Sequence, residues 1–150
     1  MNDESRKKLS EFGERCRARG LRITPQRVAI YEKLVASGKH PSATEIHDQI
    51  KQEFPNVSLG TVNSTLLTFA QIGFAHIVEG SGDPKRFDPI TEVHHHFRCV
   101  KCNRIIDFNE KTFDEIRVPA KITERFLVLG KKVYLEGVCD RCQNKSKARS

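Results

Sequence analysis

The chain has 150 residues, 37% hydrophobic and 30% charged, with a formal net charge of +7 at pH 7. This length suits one ordinary domain or two small ones, and the balance is that of a soluble globular protein. No apolar run approaches the ~20 residues a membrane span needs, and residues 1–5 lack the apolar core of a secretory signal, so a cytoplasmic chain with no membrane partner is expected.

In chain order, residues 3–19 are polar and helix-compatible and stop at Gly20, a good residue just past a helix end. Thr24-Pro25 opens a second helix as N-cap and first helical residue, with Val28, Tyr31, Leu34 and Val35 at helical spacing and Gly38 after it. Ser42-Ala43-Thr44-Glu45 is a capping box for a third, with Ala43, Ile46, Ile50 and Phe54 inward and Pro55 as its stop. Ser58 caps a fourth, with Val62, Leu66, Phe69 and Ala70 inward and Gly73 closing it. Residues 74–79 and 85–88 then read as two short strands around a turn-rich loop, 80–84. Short helices followed by a β-hairpin describe a winged helix-turn-helix, whose last helix enters the DNA major groove. The positive charge agrees with an anionic partner, and residues 1–27 hold eight Lys/Arg against four acids; a merely solvated basic surface is the competing reading.

The composition shifts near residues 90–93, giving a division into a winged-helix domain at 1–89, a hinge at 90–93 and a second domain at 94–150. Residues 97–100 and 104–108 are strand-like, 111–116 suggest a short helix stopped by Pro119, and 125–138 alternate apolar with polar as one longer strand. The basic tail with Arg141, Lys145, Lys147 and Arg149 reads as disordered. The fold class is therefore α+β, with a small α/β second domain that needs a metal staple and a partner subunit to make up for its small core.

That staple is visible. Cys99 and Cys102 form one CxxC pair and Cys139 and Cys142 another, with 36 residues between them. Two such turns place four thiolates on one tetrahedral ion, and soft sulfur selects zinc. Reduced thiols or a redox pair are the alternatives, but neither pair sits at the start of a helix directly after a strand, as a thioredoxin-type motif requires. Cys16, left over on the first helix, reads as a small, partly buried residue. Of six histidines, His94 and His96 stand two apart and share one side of an extended strand, while His95 points the other way. Asp88 and Asp107 lie in candidate strands nearby, and nitrogen and carboxylate donors suit iron or manganese. His47 and His76 read as surface or satisfied core residues.

Gly20-Leu21-Arg22-Ile23-Thr24-Pro25-Gln26-Arg27, His40-Pro41-Ser42-Ala43, Phe54-Pro55, Thr61-Val62, Arg86-Phe87-Asp88, His94-His95-His96-Phe97-Arg98-Cys99, Asp107-Phe108 and Gly137-Val138-Cys139 together resemble the ferric-uptake-regulator family of metal-sensing repressors. The resemblance implies a homodimer that binds a palindromic operator in double-stranded DNA. It implies structural Zn2+ on the four cysteines and regulatory Fe2+ or Mn2+ on His40, Asp88, His94, His96 and Asp107. Aspartate at both carboxylate positions is similar to the peroxide-sensing branch, where oxidation of a ligand histidine, here His40 or His94, releases metal and DNA. A further site of the family draws on a histidine in the long strand; Leu129-Gly130-Lys131-Lys132 stands there, so that site is expected to be missing. The family's tyrosine after Thr-Val is Asn63, and residues 58–69 carry no charge. Base reading then falls to Thr61, Asn63, Ser64 and Thr65, with phosphate contacts from Arg17, Arg22 and Arg27 and also Lys85. A regulator responding to metal occupancy alone is the near alternative. A metal-dependent hydrolase is the distant one; ligands spread across a hinge suit switching better than rigid catalysis, so no enzymatic activity is expected.

Overall fold

The computed structural model describes residues 2–78 and 84–148, which fall into two compact units, Met1–Thr91 and Glu92–Ser150. The boundary between them lies within residues 90–93.

The first unit is helical: α1 (Asp3–Ala18), α2 (Pro25–Ala36), α3 (Ala43–Ile50) and α4 (Leu59–Gln71) precede a small hairpin, β1 (His76–Ile77) and β2 (Phe87–Asp88). Each helix starts where a side chain satisfies otherwise orphaned backbone N–H groups. Asn2 accepts from Ser5 N at 2.7 Å, Thr24 from Arg27 N at 3.3 Å and Ser58 from Thr61 N at 3.0 Å. Ser42 and Glu45 close the full reciprocal box, with Ser42 N donating to Glu45 Oε2 at 2.7 Å. Gly20 takes φ +67° just beyond α1, a conformation that costs a Cβ-bearing residue and lets the chain turn back. α3 ends at Ile50, well before Pro55. Residues 51–54 continue as turns, with Phe54 N donating to Ile50 O at 2.8 Å, and Phe54 still packs on the core from outside the helix.

The inward face of α4 is Val62, Thr65, Leu66 and Phe69; Ala70, expected there, is only partly buried. At the centre of the unit Phe12 stacks on Tyr31 with centroids 4.4 Å apart, and Phe69 meets both rings edge-on. Arg15 lies over the Phe74 ring at 4.3 Å and donates to Tyr31 Oη at 3.3 Å, so the buried phenol has a partner. Burial pushes the Tyr31 phenol up despite that guanidinium. Cys16 is fully enclosed in this core rather than partly buried. The hairpin pairs His76 with Asp88 and Ile77 with Phe87; Glu79 and the turn at 80–83 lie outside the described residues.

The second unit is a three-stranded sheet ordered β4-β3-β5, from β3 (His95–Cys99), β4 (Ile105–Phe108) and β5 (Tyr134–Gly137), with short helices α5 (Lys111–Asp114) and α6 (Ala120–Thr123) and a terminal α7 (Asp140–Ala148). β3 runs antiparallel to β4 and parallel to β5. Gly137 sits opposite Cys99, and a Cβ there would come within 3.3 Å of the Phe97 ring, which explains a glycine in this strand.

Two expectations for this unit are corrected. The strand foreseen over 125–138 is confined to Tyr134–Gly137, because β3 offers partners only from His96 to Cys99; Leu127 and Leu129 are 86% and 91% exposed. The tail is a helix, not disordered: α7 begins directly after Cys139, with Asp140 favourably placed at the N-terminal end of the helix dipole and Gln143 N donating to Cys139 O at 3.0 Å. Arg149 lies outside the described residues.

Candidate metal centres and reading helix

The four cysteines converge. Cys99 ends β3, Cys102 follows in a tight turn that closes with Asn103 N donating to Cys99 O at 2.9 Å, and Asn103 takes φ +60°. Cys139 and Cys142 lie at the start of α7, brought alongside by the β3–β5 pairing. The ligand atoms all lie within 4.8 Å of one another, and none of the thiols is in a disulfide. Cys139 N donates to Cys99 Sγ at 3.4 Å, and Cys102 Sγ lies 3.8 Å from Cys139 Sγ. Backbone N–H groups of Cys139 and Cys102 hold the Cys99 thiol down at about 6, while the hydrogen bond to Cys139 and desolvation push Cys142 up to about 12. Four sulfurs this close, with the Cys99 and Cys139 thiols both shifted towards the thiolate, fit a tetrahedral soft-metal site.

In the same sheet unit, His94, His96 and Asp107 converge for a reason visible in the register. His96 and Asp107 are cross-strand partners, so their side chains stand on one face, with His96 Nε2 3.1 Å from Asp107 Oδ1. His94, two residues earlier, joins them: its Nε2 is 3.0 Å from His96 Nε2 and 3.6 Å from Asp107 Oδ1. Its Nδ1 lies 2.8 Å from Glu92 O. A carbonyl can only accept, so Nδ1 carries the proton and Nε2 presents a lone pair to the cluster. Both imidazoles are buried, and two facing nitrogens with a carboxylate beside them make a donor set suited to a divalent cation.

His95 stands on the opposite face and is 1% exposed. Val133 N donates to its Nδ1 at 3.1 Å, so Nε2 carries the proton and donates to Asp114 Oδ1 at 2.9 Å. Both ring nitrogens are used, and the ring edges onto Phe113. Asp114 was not singled out from the sequence, and nothing in the 18 residues between it and His95 signals the pairing.

The helical unit holds a second, smaller donor set. The segment before α3 pairs with β2: Phe87 N donates to Pro41 O at 3.0 Å, Ser42 bridges Arg86, and Arg86 Nε donates to His40 O. This brings His40 beside Asp88, with Nε2 and Oδ2 3.4 Å apart and both side chains buried. Ile90 N donates to Asp88 Oδ1 at 2.8 Å, which orients the carboxylate. His47 and His76 are satisfied by backbone carbonyls, Val57 O at 2.9 Å and Thr91 O at 3.2 Å.

On α4, Thr61, Asn63 and Ser64 are exposed. Thr65 is only 7% exposed and donates its hydroxyl to Thr61 O at 2.8 Å, so of the four it is the one most taken up by the helix itself. Arg22 and Arg27 line one concavity of about 740 Å³ with Thr61 and Ser64, whereas Asn63 lines another, of about 450 Å³, with Lys85. Arg17 is exposed on α1, outside both.

The model of the ferric uptake regulator family matches residues 18–135, and the chain belongs to that family. Its sequence is similar to the peroxide-responsive repressor PerR of Staphylococcus saprophyticus, 37% identical over 129 residues, which span 86% of this chain and 87% of that protein. Its fold is similar to the Helicobacter pylori ferric uptake regulator, with a TM-score of 0.76 at 24% identity over 93% of each chain. PerR from Streptococcus pyogenes, described for peroxide sensing and gene regulation, aligns with a TM-score of 0.51 at 29% identity over 90% of this chain and 92% of that one. The fold is thus α+β, a winged helix-turn-helix followed by a small α/β domain.

Proposed function

We propose that this chain is a dimeric, metal-dependent transcriptional repressor that binds a palindromic operator and senses peroxide. The observation that carries the reading is the pair of incomplete donor sets, buried His94 and His96 with the exposed Asp107 in one unit and buried His40 and Asp88 in the other. Neither alone fills the coordination shell of Fe2+ or Mn2+, and family membership supports their sharing one ion. Such an ion, with three imidazoles and two carboxylates, stabilises the orientation of the units in which two α4 helices meet successive major grooves. Zn2+ on Cys99, Cys102, Cys139 and Cys142 has the separate task of holding the sheet unit together.

When bound, Fe2+ would supply the one-electron chemistry that starts peroxide cleavage, lending an electron and regaining it from the ring, which Mn2+ would not do. Overall, His40 or His94 would give up two electrons to peroxide and gain one oxygen atom at a ring carbon, with water as the other product, and would cease to be a good ligand. Similarity to the peroxide-responsive repressors supports this choice of signal. Arg17, Arg22, Arg27 and Lys85 supply phosphate attraction, and the exposed residues of α4 meet the bases.

The test is mass spectrometry of the iron-loaded and manganese-loaded proteins after peroxide, with operator binding measured in parallel. An added oxygen on the peptide carrying His40 or His94, only in the iron form and together with loss of DNA binding, is the expected result. Unmodified peptides with intact binding would leave a regulator of metal occupancy. Binding indifferent to metal would sink the switch altogether.

A further inference from the structure

We infer that Asn63 is the residue of α4 that reads a base, and that the base is an adenine; this rests on the DNA-binding reading above. The hydroxyl groups along this helix are already committed. Ser58 and Thr61 meet each other at 3.0 Å, Ser64 donates to Thr61 O at 3.1 Å, Thr65 to the same carbonyl at 2.8 Å, and Thr68 to Ser64 O at 2.9 Å. Ser64, Thr65 and Thr68 thereby spend the one proton a hydroxyl can give, and so does one of Ser58 and Thr61, leaving these side chains little with which to discriminate bases. Asn63 differs. It is exposed in the second turn, where a reading helix meets base edges, and among the described residues its amide has no hydrogen-bond partner.

A free carboxamide offers a donor and an acceptor side by side. In the major groove the complementary pair is adenine N6–H and N7, which asparagine engages with two hydrogen bonds. Guanine presents two acceptors, O6 and N7, and calls for a cationic fork; residues 58–71 contain no Arg or Lys. The surroundings agree with an A·T pair. Leu59, one helical turn before Asn63 on the same face, is 42% exposed and provides an apolar surface of the kind a thymine methyl contacts. Asn63 and Leu59 line the same concavity of about 450 Å³ with Thr44, Gly60 and Lys85, and Lys85 is placed to meet a phosphate beside it. With Asn63 as its strongest discriminating side chain, α4 centres its sequence preference on one base pair per half-site.

The experiment selects binding sites from a randomised duplex pool with the intact, zinc-containing, Mn2+-loaded protein, and repeats the selection with Asn63→Ala. The wild-type protein should enrich an inverted repeat with an invariant A·T pair in each half. Asn63→Ala should lose that base while keeping the rest, and bind the wild-type consensus roughly tenfold or more weakly, with unchanged affinity for random DNA at low salt. Replacing that adenine by 7-deazaadenine, which lacks N7, should weaken the wild type and leave Asn63→Ala indifferent. If Asn63→Ala selects the same invariant base, or if deazaadenine weakens both proteins equally, the assignment is wrong. If the wild type enriches no sequence, the DNA-binding reading fails first and the assignment with it.

Discussion

The helical unit hides Tyr31, Phe69, Phe74, Ile30, Leu34 and their neighbours behind four helices, whereas the buried side chains described in the sheet unit are His94, His95, His96, Cys99 and Cys139. The exposure of large apolar groups is reversed. Ile23, Leu59 and Ile90 stand out from the first unit, but Val93, Val100, Ile116, Phe126, Leu127, Val128, Leu129 and Leu135 stand out from the second. One unit is held by apolar burial; the other has placed potential ligands where a core would be and left its apolar residues outside. On the function proposed above, a unit built that way would rest on an ion inside and, at the exposed stretch 126–129, on the second subunit.

With Zn2+ on the four cysteines, as proposed above, the largest effect should come from removing that ion. Chelation or Cys102→Ser should unfold the sheet unit and leave the helical unit standing, since structural zinc contributes on the order of 10 kcal/mol or more in small domains. Hydrogen exchange separates the two: protection of 95–108 and 134–137 should collapse while that of α2 to α4 persists. Protection that survived in β3 would mean that the sheet holds itself by burial, and the contrast between the units would fail. Acid should act in the same direction. The Cys99 thiol is depressed from 9.0 to about 6, so its contribution is fully present above 9 and is lost as pH falls through about 6. Cys139 is shifted the same way, and Cys142, raised to about 12, changes only in alkali. The sheet unit should therefore weaken as pH falls from about 9 to about 6.

Next in size is the core of the helical unit. Phe69→Ala removes a fully buried ring that meets Phe12, Tyr31 and Phe74, and should cost about 3–5 kcal/mol in thermal or denaturant unfolding of that unit. Zinc content should not change. Zinc loss in this variant would show that the units do not hold themselves up independently.

What could be read from the sequence divides along the same line. Capping at Thr24, Ser42 and Ser58 and the paired CxxC motifs are local signals, a few residues long, and they mark real features of the structure. Apolar alternation over 125–138 was misleading because alternation reports only that one face seeks cover; in this unit β3 covers just the last four residues. The helix after Cys139 was missed because its residues are almost all polar, and its start is set by the cysteine turn. The closeness of His40 and Asp88 arises from Pro41 and Ser42 pairing with β2 across more than 40 residues, which no periodicity announces. Family resemblance alone pointed to His40.

A smaller effect tests whether the sheet unit's buried histidines differ in role. His95→Ala strands the Val133 N–H and the Asp114 carboxylate and should cost about 1–3 kcal/mol in the sheet unit, with zinc stoichiometry intact. His95→Gln, which can still bridge a donor and an acceptor, should recover part of that loss. If His95→Ala instead abolished binding of Mn2+ without loosening the sheet, His95 would belong with the ligands and not with the packing.

The smallest effect is expected at an exposed pair on the helical unit. Lys51 Nζ donates to Asp48 Oδ1 at 2.7 Å and holds that carboxyl below its ordinary value of 3.8. Such a depression gives stability that is present above the unfolded value and is lost as pH falls through the lowered folded one. The wild type and Asp48→Asn should thus differ slightly and constantly from pH 7 to 5 and converge below about 4. Solvent screens the pair, and Asp48 also sits towards the C-terminal end of α3, where a negative charge opposes the helix dipole. Those two terms offset each other, so the melting midpoint of the helical unit should hardly move. A large shift would mean that surface charge, and not the aromatic core, holds this unit, and the contrast with the sheet unit would have to be redrawn in electrostatic terms.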